Sequence, residues 1–181
     1  NPAAYHNAFR CPSEHLLAAP LFAAHLAAAL RGDPLVVVAP DAGGVKRAQD
    51  LRAALEQAGT GAPGAAFMEK HRADDRVTAG TLMGDVADKT AVIVDDLIGT
   101  GATLSLAARA CRRAGAVRVV AAATHGLFVG GAPAALREVD QVVVTDTVPA
   151  FRLRGSEVAA RLTTLPSAGL FAAALRAGGA A

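Results

Sequence analysis

Two adjacent carboxylates, Asp95 and Asp96, stand where an apolar run ends and a glycine-rich turn begins, in the segment AVIVDDLIGTGATL from Ala91 to Leu104. An apolar run of this kind is a buried strand, and the Thr-Gly-Ala-Thr turn behind it opens a helix. Amides freed by the turn and by the first helical residues, with the hydroxyls of Thr100 and Thr103, can surround a phosphate at the positive end of the helix dipole. The two acids then face a vicinal diol, whose hydroxyls donate charge-assisted hydrogen bonds to them. The spacing therefore predicts a sugar-phosphate cradle. The plain alternative is that Asp96 caps a helix and Asp95 is solvated.

The same strand-turn-helix grammar occurs one unit earlier, in APDAGGVK from Ala39 to Lys46. Its paired glycines let the backbone come close to a ligand such as a diphosphate. Asp41 suits a magnesium ion, which keeps several waters and binds through one or two carboxylates plus substrate phosphates. An ordinary turn with an Asp at its start is the rival reading. Lys70 and Arg72 follow a strand and open KHRADDRVTAG, Lys70 to Gly80, in which Val77 is the only large apolar residue. This reads as a solvated loop, long enough to act as a lid that brings two cations over a reacting phosphate. Charges kept only for solubility are the competing account. His125, just after a strand, falls at the same edge in either a structural or a functional role.

Elements that alternate must position these groups. Pro20 starts a helix toward Arg31, ended by Gly32, Asp33 and Pro34. Strand Leu35–Ala39 precedes the first turn. The helix behind it carries Ala48, Leu51, Leu55 and Ala58 on one face and Lys46, Arg47 and Asp50 on another, and Gly59 stops it. Strands are expected at Ala65–Glu69, Thr90–Val94, Val117–Ala123 and Gln141–Thr145. The helix after the acid pair turns Leu104, Ala108 and Cys111 inward and Arg109, Arg112 and Arg113 outward, up to Gly115. A last helix covers Gly169–Arg176. Such alternation requires crossover connections, hence an α/β fold of three layers, a mostly parallel twisted sheet with helices on both faces, binding ligands at the carboxyl ends of its strands.

Composition narrows the function classes. Across 181 residues, 18 basic and 16 acidic side chains leave a net charge of +2, which favours neither a polybasic nucleic-acid binder nor an acidic tail. With 52% hydrophobic and 19% charged residues the chain can bury a real core. Cys11 and Cys111 make neither a disulfide framework nor a zinc site, and a reducing cytoplasm is the default expectation. The apolar stretch Leu16–Leu30 is interrupted by Pro20 and His25 and is short for a membrane span. Gly59, Gly61 and Gly64 spell GxGxxG, but they leave a helix and enter a strand, the reverse of the dinucleotide context. No Walker loop or GxSxG elbow occurs, and none of the five histidines has a metal-ligand partner at helical spacing.

Taken together, the segments resemble the ribose-phosphate diphosphokinases, also called phosphoribosyl pyrophosphate synthetases. VDDLIGTGAT is similar to their ribose 5-phosphate loop, PDAGG to their pyrophosphate loop and EKHR to the start of their flexible catalytic loop. ATHGLF and VVVTDTVP follow in the family's order. The resemblance implies a type I phosphoribosyltransferase-like fold in a single domain over residues 1–181, the second half of a two-domain synthetase, with Asn1 inside the linker. It further implies that Asp95 and Asp96 hold the ribose hydroxyls and that Gly99, Thr100, Gly101, Ala102 and Thr103 bind the 5-phosphate. Asp41, Ala42, Gly43 and Gly44 would hold the transferred diphosphate, with Mg2+ on Asp41, and Lys70 and Arg72 would be the catalytic cations. Gly99 departs from the acidic or hydroxyl residue that many members carry there.

The activity so implied is transfer of the β,γ-diphosphoryl group of MgATP to the anomeric hydroxyl of ribose 5-phosphate, releasing AMP. The expected partners are these small substrates and further copies of the chain in a homo-oligomer, with no nucleic acid and no membrane. Two other readings share the cradle: a free-standing phosphoribosyltransferase, for which no nucleobase hood is visible, and a catalytically silent half-domain that regulates or assembles an intact synthetase.

Overall fold

The computed structural model describes residues 8–11, 13–69, 72–73, 76–77 and 80–178. Helix α1 (Ala19–Ala29), with a proline in its first turn, leads to strand β1 (Leu35–Ala39). A short 3-10 turn (Ala42–Gly44) feeds helix α2 (Val45–Gln57), which returns to β2 (Gly64–Glu69). Beyond it come β3 (Arg72–Ala73), β4 (Arg76–Val77), β5 (Thr81–Met83) and β6 (Thr90–Ile98). Helix α3 (Ala102–Arg113) crosses to β7 (Arg118–Gly126), the short α4 (Ala132–Ala135) leads to β8 (Gln141–Thr145), and β9 (Leu162–Leu165) precedes α5 (Ala168–Gly178). Seven strands form one sheet in the order β5-β2-β1-β6-β7-β8-β9. All neighbours are parallel except β5, which runs antiparallel to β2 at the edge.

The unalternating apolar runs have a simple cause: every residue of β1 is buried because both faces of the sheet are covered. Val36 and Val38 join Ala91, Ile93, Leu104, Ala108 and Cys111 in one core beneath α3. Val37 and Ala39 join Val92, Val94, Phe22, Leu26, Leu51 and Leu55 in the other, beneath α1 and α2. Each large aliphatic side chain so removed from water contributes about 1.5–3 kcal/mol, and successive strand residues supply the two cores in turn. Helix α2 stops at Gly59, whose φ of +85° only glycine adopts cheaply.

Several boundaries differ from expectation, for identifiable reasons. Strand β6 does not end at Val94, nor β7 at Ala123; the two stay paired through Asp95↔Ala123, Leu97↔His125 and Ile98↔Gly126. The acids therefore ride on the strand itself and not on the loop after it, because a parallel neighbour supplies hydrogen bonds that residue type alone does not announce. Within the segment read as a solvated loop, β3 and β4 pair as an antiparallel ribbon, Arg72 opposite Val77. Strands β5 and β9 were not anticipated, being three and four residues long with polar residues among them. Ala58 lies beyond the end of α2 and is exposed, not on its buried face. Helix α1 ends at Ala29 and not at Arg31.

Candidate active site

The chain order of the sheet decides where a ligand can sit. From β1 the chain moves outward to β2 and β5, and it later lays β6 on the opposite side of β1. The crevice at the carboxyl ends of β1 and β6 is therefore the topological switch point, the place where open α/β sheets bind ligands. The two glycine-rich turns, Asp41–Gly44 after β1 and Gly99–Thr103 after β6, are neighbours there.

A cavity of about 210 Å³ opens behind β6, lined by Asp95, Ile98 and the whole turn from Gly99 to Thr103. Gly101 is the N-cap of α3 at φ +75°, and the Ser105 amide donates to its carbonyl at 2.8 Å. The carbonyls of Ile98 and Gly99 accept amides from Leu127, Phe128 and Val129 at 3.0 Å, which pins the turn to the end of β7. The first amides of α3 have no intrahelical acceptor and serve an anion at that end. A Cβ on Gly101 would lie 3.2 Å from the Ala135 Cβ and 3.5 Å from Leu136 Cγ. Gly101→Ala is accordingly expected to cost about 1–2 kcal/mol from the left-handed backbone alone, and to weaken ribose 5-phosphate binding about tenfold by tilting these amides. Calorimetric titration checks this, and an affinity equal to that of the unaltered chain would contradict it.

A larger concavity, about 620 Å³, lies at the opposite end of the strands, where α1 and α2 finish near Arg31, Asp33 and Gly59. None of the candidate residues lines it. The Asp95 carboxylate, the hydroxyls of Thr100 and Thr103 and the N-terminus of α3 converge at the smaller one, which is the chemically equipped site despite its size.

Asp95 is the more enclosed of the two acids. Its Oδ1 accepts the Asp96 amide at 2.8 Å and the Arg47 Nη1 at 3.2 Å. The second guanidinium nitrogen of Arg47 reaches Asp96 Oδ2 at 2.9 Å. Burial pushes the Asp95 carboxyl up to about 6, the Asp96 side chain adds to that rise, and the Asp96 amide and Arg47 oppose it. The sequence reading puts Arg47 with Lys46 and Asp50 on a face of α2 other than the apolar one. Its position three residues past a glycine pair put it near the site, but an ion partner 48 positions further along has no local signature.

In the other turn, Asp41 caps the 3-10 helix and its Oδ1 accepts the Gly44 amide at 3.0 Å. Side chains at Gly43 and Gly44 would crowd this arrangement: a Cβ on Gly43 would sit 3.4 Å from Asp41 Oδ1, and one on Gly44 3.3 Å from Pro40 Cδ. Among the described residues no group of three or more His, Cys, Asp or Glu is placed to hold a metal. A single carboxylate fits a magnesium ion that arrives on substrate phosphates and does not fit one caged by protein.

His125 Nδ1 lies 2.8 Å from Thr147 Oγ1, and the Thr145 hydroxyl donates to the Thr124 carbonyl at 2.6 Å. This hydroxyl cluster fixes the imidazole at the end of β7. Lys70 lies outside the described residues, and of Arg72 the backbone is described, in β3. Cys11 and Cys111 are free thiols, the first exposed and the second buried. Among the described residues no helix is long and apolar enough to cross a membrane.

Comparison with known proteins gives this arrangement a family. Residues 65–177 match the model of the phosphoribosyl synthetase-associated domain. The chain is 39% identical over 142 residues to a putative ribose-phosphate pyrophosphokinase 2 of Lactiplantibacillus plantarum, covering 77% of this chain and 43% of that protein. It superposes on the crystal structure of phosphoribosylpyrophosphate synthetase from Mycobacterium smegmatis with a TM-score of 0.81 and 33% identity, over 95% of this chain and 54% of that one. A hypoxanthine phosphoribosyltransferase of Trypanosoma cruzi shares the fold, with a TM-score of 0.50 and 17% identity over 64% of this chain and 66% of that one. The chain thus spans less than half the length of the curated relative, 43%. By the family model that matches residues 65–177 and by its likeness in sequence and fold to these relatives, the chain belongs to the ribose-phosphate pyrophosphokinase family.

Proposed function

We propose that this chain is the ribose 5-phosphate- and diphosphate-binding domain of a ribose-phosphate pyrophosphokinase, the second of two domains of one fold, working in the cytoplasm as a homo-oligomer. The observation that carries the reading is the placement, on adjoining strands β1 and β6, of a glycine-pair turn and of an acid pair whose first member, Asp95, lines a cavity of about 210 Å³ together with the turn Gly99–Thr103. In this reading Asp95 and Asp96 accept hydrogen bonds from the ribose hydroxyls, and the turn Gly99–Thr103 binds the 5-phosphate with its amides and the hydroxyls of Thr100 and Thr103. The Asp41–Gly44 turn holds the transferred diphosphate. Asp41 would hold magnesium carried on the nucleotide, and that ion neutralises charge on the phosphoryl oxygens when bound.

The anomeric oxygen forms a bond to the β-phosphorus of ATP as the bond from that phosphorus to the α,β-bridging oxygen breaks. AMP departs with that oxygen, and the hydroxyl proton passes to solvent. Such a transfer calls for positioning and charge neutralisation more than for covalent catalysis. Fixed acids hold the sugar still, the helix N-terminus anchors its far end, and Lys70 and Arg72 add charge over the reacting phosphate.

Ribose 5-phosphate titrated into the chain should bind with one site per chain, and MgATP should then yield AMP. AMP release supports the synthetase; sugar-phosphate binding without AMP supports a binding domain that needs further sequence for the nucleotide. Pyrophosphate release from phosphoribosyl pyrophosphate with a nucleobase would overturn the reading in favour of a transferase. Absence of ribose 5-phosphate binding would overturn it altogether.

A further inference from the structure

We propose that Arg47 is a positioning residue, one that locks the sugar-binding acids to the diphosphate turn; this inference rests on the ribose 5-phosphate reading above. Arg47 sits in the first turn of α2, three residues beyond Gly44. Its guanidinium spans both acids, Nη1 to Asp95 Oδ1 at 3.2 Å and Nη2 to Asp96 Oδ2 at 2.9 Å. The Arg47 and Asp95 side chains are only 29% and 17% exposed, so this pair is shielded from the solvent that makes surface ion pairs weak.

The geometry has a function that a lone surface pair lacks. Two adjacent carboxylates repel each other and turn apart unless a cation holds them, and a planar fork holds both at once where an ammonium holds one. The fork takes one oxygen from each acid. No described N–H or hydroxyl group donates to Asp95 Oδ2 or Asp96 Oδ1, and these oxygens remain for the two hydroxyls of a sugar. Lys46, the adjacent cation, is engaged outward with Asp50 and does not compete.

The same arginine meets the diphosphate turn. A Cβ on Gly44 would stand 3.4 Å from Arg47 Nη1, so the guanidinium passes directly over a residue that has no side chain to displace it. Gly44 in turn donates its amide to Asp41. A continuous set of contacts thus runs from the cap of one ligand turn, through Gly44 and Arg47, to the acids of the other. Arg47 touches no substrate in this arrangement and acts through Asp95 and Asp96.

Calorimetric titration of the whole chain with ribose 5-phosphate, and separately with inorganic pyrophosphate, tests the role. Arg47→Met keeps the stem and removes the charge; Arg47→Lys keeps the charge and removes the fork. Arg47→Met should weaken ribose 5-phosphate binding about tenfold, with Arg47→Lys intermediate, while pyrophosphate affinity changes less than about threefold. Asp96→Asn should cost clearly less affinity in the Arg47→Met background than alone, since the two residues act as one unit. A merely structural arginine would lower thermal stability and both affinities together, and its loss would multiply independently with that of Asp96→Asn. Either pattern overturns the proposal, as does unchanged sugar affinity in Arg47→Met. If Arg47→Met does not fold, Arg47→Lys decides, with a loss of about threefold or more expected and an unaltered affinity overturning the role. Failure of the unsubstituted chain to bind ribose 5-phosphate would instead remove the functional reading itself, and this inference with it.

Discussion

Replacing Asp95 and Asp96 together by Asn should weaken ribose 5-phosphate binding by about ten- to a hundredfold, since hydrogen bonds to charged acceptors contribute about 1.5–3 kcal/mol each, roughly twice the neutral kind that Asn still accepts. The amides keep the shape of the acids, so the effect isolates charge. Stability should respond in the opposite sense. The Asp95 carboxyl is raised from 3.8 to about 6 by burial, so the folded chain holds this proton more tightly than the unfolded chain does. Its contribution to stability is fully present below pH 3.8 and is lost as pH rises through about 6. At pH 8 the unaltered chain therefore bears the cost of a buried charge that Asp95→Asn lacks. Asp95→Asn alone should thus bind sugar poorly yet unfold at an equal or higher temperature at pH 8. A variant that loses both affinity and several degrees of melting temperature would show the acid to be structural.

The same titration predicts how binding responds to acid. Ribose 5-phosphate affinity should fall as pH drops through about 6, because protonated Asp95 accepts more weakly. The substrate phosphate also titrates near pH 6, with a second pKa of about 6. Comparison with Asp95→Asn separates the two, since the variant retains only the phosphate component. Superimposable profiles for the two proteins would deny Asp95 its part.

The largest effect on stability is expected at Gly84, just past β5. Its φ is +117°, and a Cβ there would lie 2.6 Å from the Ala65 carbonyl oxygen and 2.8 Å from Ala66 Cα. Those are backbone atoms of β2, which is held in turn by β1, so they cannot yield as a flexible side chain would. Gly84→Ala combines a forbidden backbone region with a clash against the sheet and should cost about 3 kcal/mol or more. In a domain of this size that is a fall of roughly 6–12 °C in melting temperature. Gly130→Ala is the control: φ is +56° there and nothing lies within 4 Å, so only the smaller conformational cost remains. Equal melting temperatures for the two variants would contradict the account.

The amino-acid sequence by itself determined the alternation of buried strands and helices. It also determined the two glycine-rich turns and the neighbourhood of the acid pair, because these depend on local chemistry: β-branched runs, glycines at required backbone angles, and hydroxyls beside a helix start. Lengths of the elements were less legible. That Asp95 to Ile98 remain in β6 follows from pairing with His125 and Gly126 on β7, a partner that lies almost thirty positions away. The short strands β5 and β9 exist because an already formed sheet offers them an edge, and three or four residues of mixed polarity do not declare that. Only the tertiary structure decided that Arg47 belongs to the site. On a helical wheel of α2 it stands beside the buried Leu51, at the border of the apolar face, and it becomes an ion partner of Asp95 and Asp96 because the crossover lays β1 beside β6. Pairing across the switch point is set by chain topology, which no window of neighbouring residues contains.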